Sequence, residues 1–116
     1  MIERWLRKRT IWVYTPIVDF RKQLDGLIGI IATEMDLNAT DALYLFRNRK
    51  RDKIKRVFWD RNGFVLGYKR LERGRFDFPT DENDTIKMDI NQLAMLLSGM
   101  PLVGIGKTKN IDVFLN

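Results

Sequence analysis

Residues 42–71 read ALYLFRNRKRDKIKRVFWDRNGFVLGYKRL, and their pattern sets the architecture. ALYLF at 42–46 is apolar at every position, as expected of a central strand buried on both faces. RNRKRD at 47–52 is a turn, and KIKRVFW at 53–59 is the returning strand. Asp60-Arg61-Asn62-Gly63 closes a second hairpin, since Asn-Gly readily supplies the two positive φ angles of a type I′ turn. FVLGYKRL at 64–71 makes the next strand, and Glu72-Arg73-Gly74 turns the chain again.

Upstream, Ile11 to Thr15 is β-branched and aromatic and stops at Pro16, which reads as a first strand. Asp19 is placed to cap a helix ending near Asp36, because Phe20, Leu24, Leu27, Ile28, Ile31 and Met35 recur at helical spacing. Gly26 and Gly29 each cost about 1 kcal/mol inside a helix, so close packing against a neighbour is expected there. Downstream, Phe76 and Phe78, then Ile86 and Met88, alternate with polar residues as in two edge strands. Asp89 and Gln92 have capping-box spacing ahead of the apolar face Ile90, Leu93, Leu97 and Met100, with Gly99 and Pro101 as the stop. The expected class is α+β, an antiparallel β-meander of about five or six strands packed with two α-helices. The 116 residues fit a single domain, with 102–116 either a last strand or a flexible tail.

Charge is concentrated in the same meander. Residues 47–75 hold twelve of the twenty-one Lys and Arg but three of the fifteen acids, a local charge of +9 within a total of +6. Phe46, Phe58, Trp59, Phe64, Tyr68 and Phe76 interleave with these bases, too much apolar surface for a disordered tail. Fixed positions for the charges follow, which suits a polyanion and nucleic acid first. The candidate contacts are Arg47, Arg49, Lys50, Arg51, Lys53, Lys55, Arg56, Lys69, Arg70, Arg73 and Arg75. Trp59 and Tyr68 are candidates for stacking on bases, although an aromatic in a meander is more often core.

Other chemistries find little support. With no cysteine and no histidine there is no disulfide, thiolate nucleophile, Cys or His zinc ligand, or imidazole catalysis. The acids that merit testing for two-metal chemistry are Asp19, Asp25, Asp60 and Glu72, and the local contexts of Asp19, Asp60 and Glu72 favour a cap, a hairpin residue and an ion pair instead. Gly104-Ile105-Gly106-Lys107-Thr108 imitates part of a phosphate loop, yet Pro101 stands where its first glycine belongs. No catalytic, cofactor or metal residue is therefore assigned. The N-terminus lacks a signal-peptide apolar stretch and residues 26–32 are too short to span a bilayer, so a cytoplasmic protein without membrane contact is expected.

DFRKQLDGLIGII at 19–31, LFRNRKRDKIKRVFWDRNGFVLGYKRLERGRFDFP at 45–79 and INQLAMLLSGM at 90–100 resemble the TnpB accessory proteins of the insertion-sequence-sixty-six class of bacterial transposons. The likeness is densest from Tyr68 to Phe76 and is closed by Pro79. It implies a non-catalytic helper encoded beside a larger DDE-type transposase, with transposon-end DNA, the transposase and other element-encoded proteins as expected partners. Two roles fit: an accessory factor binding nucleic acid through 47–75, or an adaptor that docks on the transposase without touching DNA.

Overall fold

The computed structural model describes residues 10–79 and 82–98. Five strands, β1 (Thr10–Ile17), β2 (Ala42–Arg47), β3 (Lys53–Asp60), β4 (Gly63–Arg70) and β5 (Thr85–Met88), form one sheet in the order β4-β3-β2-β1-β5. Helix α1 (Leu24–Thr33) links β1 to β2, and α2 (Ile90–Leu97) follows β5. The expected α+β class holds, with a sheet that is mixed and mostly antiparallel. β1 and β2 run parallel because the α1 crossover returns the chain to the end of the sheet where β1 starts before β2 begins.

β2 is the middle strand and is buried at all six positions, as its unbroken apolar run requires. Ala42, Tyr44 and Phe46 pack with Leu27 and Ile31 of α1; Leu43 and Leu45 pack with Leu93, Leu96 and Leu97 of α2. The period-2 alternation of one strand thus serves two cores, one on each face of the sheet. The Tyr44 hydroxyl donates to Asn38 O at 2.6 Å, and burial, with Asp41 adding, pushes its pKa up to about 12. An unfolded tyrosine ionises near pH 10, so this stabilisation is whole below pH 10 and is lost as the pH climbs through 12. Urea melts should show a loss of about 2–3 kcal/mol across that window. Tyr44→Phe should flatten that decline, and equal slopes in variant and parent would refute the assignment.

The first helix begins at Leu24, not after Asp19, with Gln23 in extended conformation at its N-cap. Asp19 instead closes its own turn, accepting from Arg21 N–H at 2.9 Å and pairing with the Arg21 guanidinium at 2.6 Å. Those hydrogen bonds hold its pKa at about 2. Residues 20–22 stay non-helical, which leaves the carbonyls of Phe20 and Lys22 available to Lys55. Asp36 lies past the helix end with φ +54°. Neither helical glycine marks a close approach of another element: Gly29 has open space where a Cβ would stand, and Gly26 would meet only the Lys22 side chain.

The second hairpin forms where Asn-Gly predicts, with a different turn. Arg61 takes the positive φ (+57°), Asn62 N–H donates to Asp60 O, and Gly63 opens β4. Phe76 and Phe78 form no strand. Phe76 N–H donates to Arg51 O at 2.6 Å, in the β2–β3 turn, and both rings enter the core under α2. Burial without ladder pairing mimics strand alternation. β1 runs through Pro16 to Ile17 by a register shift after Val13, a place where a missing N–H is tolerated. α2 has the expected capping box, Asp89 with Gln92. The stop at Gly99 and Pro101, the 104–108 segment and the 102–116 tail lie outside the described residues.

Candidate nucleic-acid interface

Register decides what each base in 47–75 can do. Lys53 pairs with Arg70, Ile54 with Lys69, Lys55 with Tyr68 and Arg56 with Gly67. Cross-strand partners share a face, so Lys53, Lys55 and Arg70 lie on the α1 side while Arg56 and Lys69 lie on the α2 side. The candidates do not share one face of the sheet.

Several of them are structural. Arg47 is 9% exposed: its guanidinium donates to Phe76 O (3.2 Å) and Thr15 O (3.4 Å) and lies 4.5 Å from the Phe78 ring centroid. Burial, with Arg51 nearby, lowers its pKa. Lys55 is 5% exposed and donates to Phe20 O and Lys22 O, both at 2.9 Å, with the Phe20 ring 4.9 Å away. Its pKa also falls, through desolvation. Lys69 reaches across to the Leu97 carbonyl at the C-terminal end of α2, where an ammonium complements the helix dipole. Arg56 lies over Gly67, whose missing side chain makes room: a Cβ there would stand 2.7 Å from Arg56 Cγ. Arg70 pairs with Glu72 at 2.8 Å, the ion pair the sequence suggested for that acid, and Lys53 lies 3.7 Å from Asp52.

The remaining five candidates come together at one end of the sheet. Arg49, Lys50 and Arg51 occupy the β2–β3 turn, and Arg73 and Arg75 the segment after β4; all five are exposed. Leu71 N–H donates to Asp52 O at 2.8 Å and Phe76 N–H to Arg51 O, so the two basic segments are hydrogen-bonded to each other. None of the five pairs with an acid among the described residues. Glu82 and Asp84 form no ion pair with them among the described residues, and Asp84 O accepts from Thr15 of β1.

Asn48, absent from the sequence-based set, organises this end. It is buried, its side-chain amide donates to Asp52 (2.8 Å), and its side-chain oxygen accepts from Lys53 N–H (2.9 Å). Asn at the head of a turn is a legible signal for such side-chain-to-backbone bonding. The bonded Asn48 amide lowers the Asp52 pKa, and Arg51 completes the turn with φ +62°.

The acids weighed for metal chemistry stand apart: Asp19 in the loop after β1, Asp25 on α1, Asp60 at the far end of β3, Glu72 on Arg70. Among the described residues no three potential ligands converge. An open groove of about 490 Å³ beside α1 is lined by Ile28, Ala32, Asp36, Leu37, Asn38, Ala39, Thr40 and Phe64, with Asp36 its one charged group. Trp59 is half-buried edge-on to Phe64, 4.9 Å between centroids, whereas Tyr68 is 56% exposed.

Fold and site define a small basic α+β protein in which five exposed bases, none paired with a described acid, meet at one end of the sheet. Residues 9–106 match the family described as IS66 Orf2 like protein, and the chain belongs to that family of transposition accessory proteins. It is 30% identical over 92 residues to the uncharacterized protein y4jC of Sinorhizobium fredii (strain NBRC 101917 / NGR234), covering 78% of each chain. It is 35% identical over 91 residues to a second uncharacterized protein of that organism, y4hO, covering 78% of this chain and 79% of the other. No solved structure matches. The resemblance carried by residues 19–31, 45–79 and 90–100 is thereby established at the level of family. No helix among the described residues is long and apolar enough to cross a membrane.

Proposed function

We propose that this accessory protein acts without catalysis by binding DNA of its transposon through the basic end of the sheet, with the cognate transposase as its working partner. The observation that carries the reading is the hydrogen-bonded pairing of two exposed segments that brings Arg49, Lys50, Arg51, Arg73 and Arg75 together. Solubility calls for dispersed charge of mixed sign, not five cations on two joined turns. Cations held by a rigid turn bind phosphates with register, since the Asn48 bonds fix the backbone from which three of them project.

A titration of duplex DNA at several salt concentrations tests it. Five neutralised phosphates correspond to a slope of log K against log salt of roughly −4.5. A slope near zero would remove DNA as the partner. Persistence of transposase co-purification in that case would move the same surface to the adaptor role.

A further inference from the structure

We infer that the outer sheet surface on the α1 side, along β4, seats an unpaired single strand of DNA, with the Tyr68 ring stacking on a base. This rests on the reading of the basic end as a phosphate-binding surface. Tyr68 is the most exposed large apolar side chain among the described residues, at 56%, beyond Ile17 and Val65. Its surroundings point to a polyanion. Arg70, exposed and paired with Glu72, stands two residues along the same face, about 7 Å by strand geometry, and Lys53, 3.7 Å from Asp52, is the cross-strand partner of Arg70. Lys55, directly opposite Tyr68, is bonded to the carbonyl of Lys22, so the loop carrying Lys22 borders the ring on the α1 side. Lys22 itself is exposed.

The surface is continuous with the basic end. β4 delivers Arg70 to the segment that carries Arg73 and Arg75, and Lys53 leaves the turn that carries Arg49, Lys50 and Arg51. Along the strand away from it, Leu66 and Phe64 follow Tyr68 on the same face, and Trp59 packs edge-on to Phe64. Phosphates held at the cationic end would bring the bases of an extended strand over this apolar row. A duplex keeps its bases stacked inside and offers Tyr68 nothing to stack on. Base–aromatic stacking is tolerant of sequence, because each base has a π-face.

The test compares a single-stranded oligonucleotide with its own duplex, titrated against the full chain and against Tyr68→Ala and Tyr68→Phe. Tyr68→Ala is expected to weaken single-strand binding by roughly 10- to 100-fold while leaving duplex binding within about twofold, and Tyr68→Phe to restore most of the loss. Exposure of the side chain makes folding of both variants the expectation, and an unchanged thermal midpoint checks it. Equal losses on both DNA forms, or no loss on either, would overturn the stacking site. Salt-sensitive binding indifferent to Tyr68 would leave the basic end standing, whereas salt-insensitive binding of both forms would remove the basic end itself.

Discussion

Combined replacement of Arg49, Lys50, Arg73 and Arg75 by Gln and of Arg51 by Gly is expected to weaken duplex DNA binding by about 10³- to 10⁴-fold near physiological salt. Each phosphate contact contributes about 1 kcal/mol through counterion release at that ionic strength, and five act together. The salt slope should collapse toward zero at the same time, since the charges that displace counterions are gone. Glycine is the better choice at 51 because that residue has φ +62°, a conformation glycine adopts without strain. All five side chains are exposed and none pairs with a described acid, so the thermal midpoint should move little. A loss smaller than tenfold, in a folded variant, would mean that DNA is held elsewhere.

Arg47→Ala is expected to have the opposite profile, a large loss of stability without a specific loss of DNA contact. The substitution leaves the Phe76 and Thr15 carbonyls without their guanidinium donor and removes the cation from the Phe78 ring. It also opens space in a buried position between the middle of the sheet and the segment 76–78. The sum is about 2–4 kcal/mol, because unsatisfied buried carbonyls and lost packing each cost on the order of 1–3 kcal/mol. Arg47→Met should cost less, as it keeps volume and avoids burying a charge whose Nε has no hydrogen-bond partner. Urea unfolding of the two variants decides the matter. A cost below about 1 kcal/mol for the alanine variant would show that Arg47 does not hold the segment in place.

These two outcomes divide a block that looks uniform as text. The order of strands β2, β3 and β4 was legible because ALYLF, the Asn-Gly pair and the spacing of turns are local signals, and the Asp89–Gln92 box was legible for the same reason. Alternation along β3 and β4 already implied that Lys55 and Arg56, or Lys69 and Arg70, cannot share a face. What no local pattern reveals is which face a distant element covers. Lys55 is buried because residues 20–22 fold over it, and Lys69 is engaged because α2 ends beside it. Phe76 and Phe78 misled for a related reason: alternating burial was real, while the Phe76 N–H donates to a turn formed some twenty-five positions earlier. The parallel pairing of β1 with β2 was equally invisible, since strand direction depends on where the crossover lays the chain.

That pairing also ranks the closures that build the sheet by their cost in chain entropy. β2, β3 and β4 are joined by connections of a few residues, whereas β1 meets β5 between positions some seventy apart, Tyr14 with Thr85. Logarithmic loop-closure cost makes the distant closure more expensive by about 2–3 kcal/mol. Most of the polyanion surface proposed above is therefore assembled from the inexpensive, local part of the topology. The long closure between β1 and β5 falls on the opposite edge, away from Tyr68 and the two basic turns.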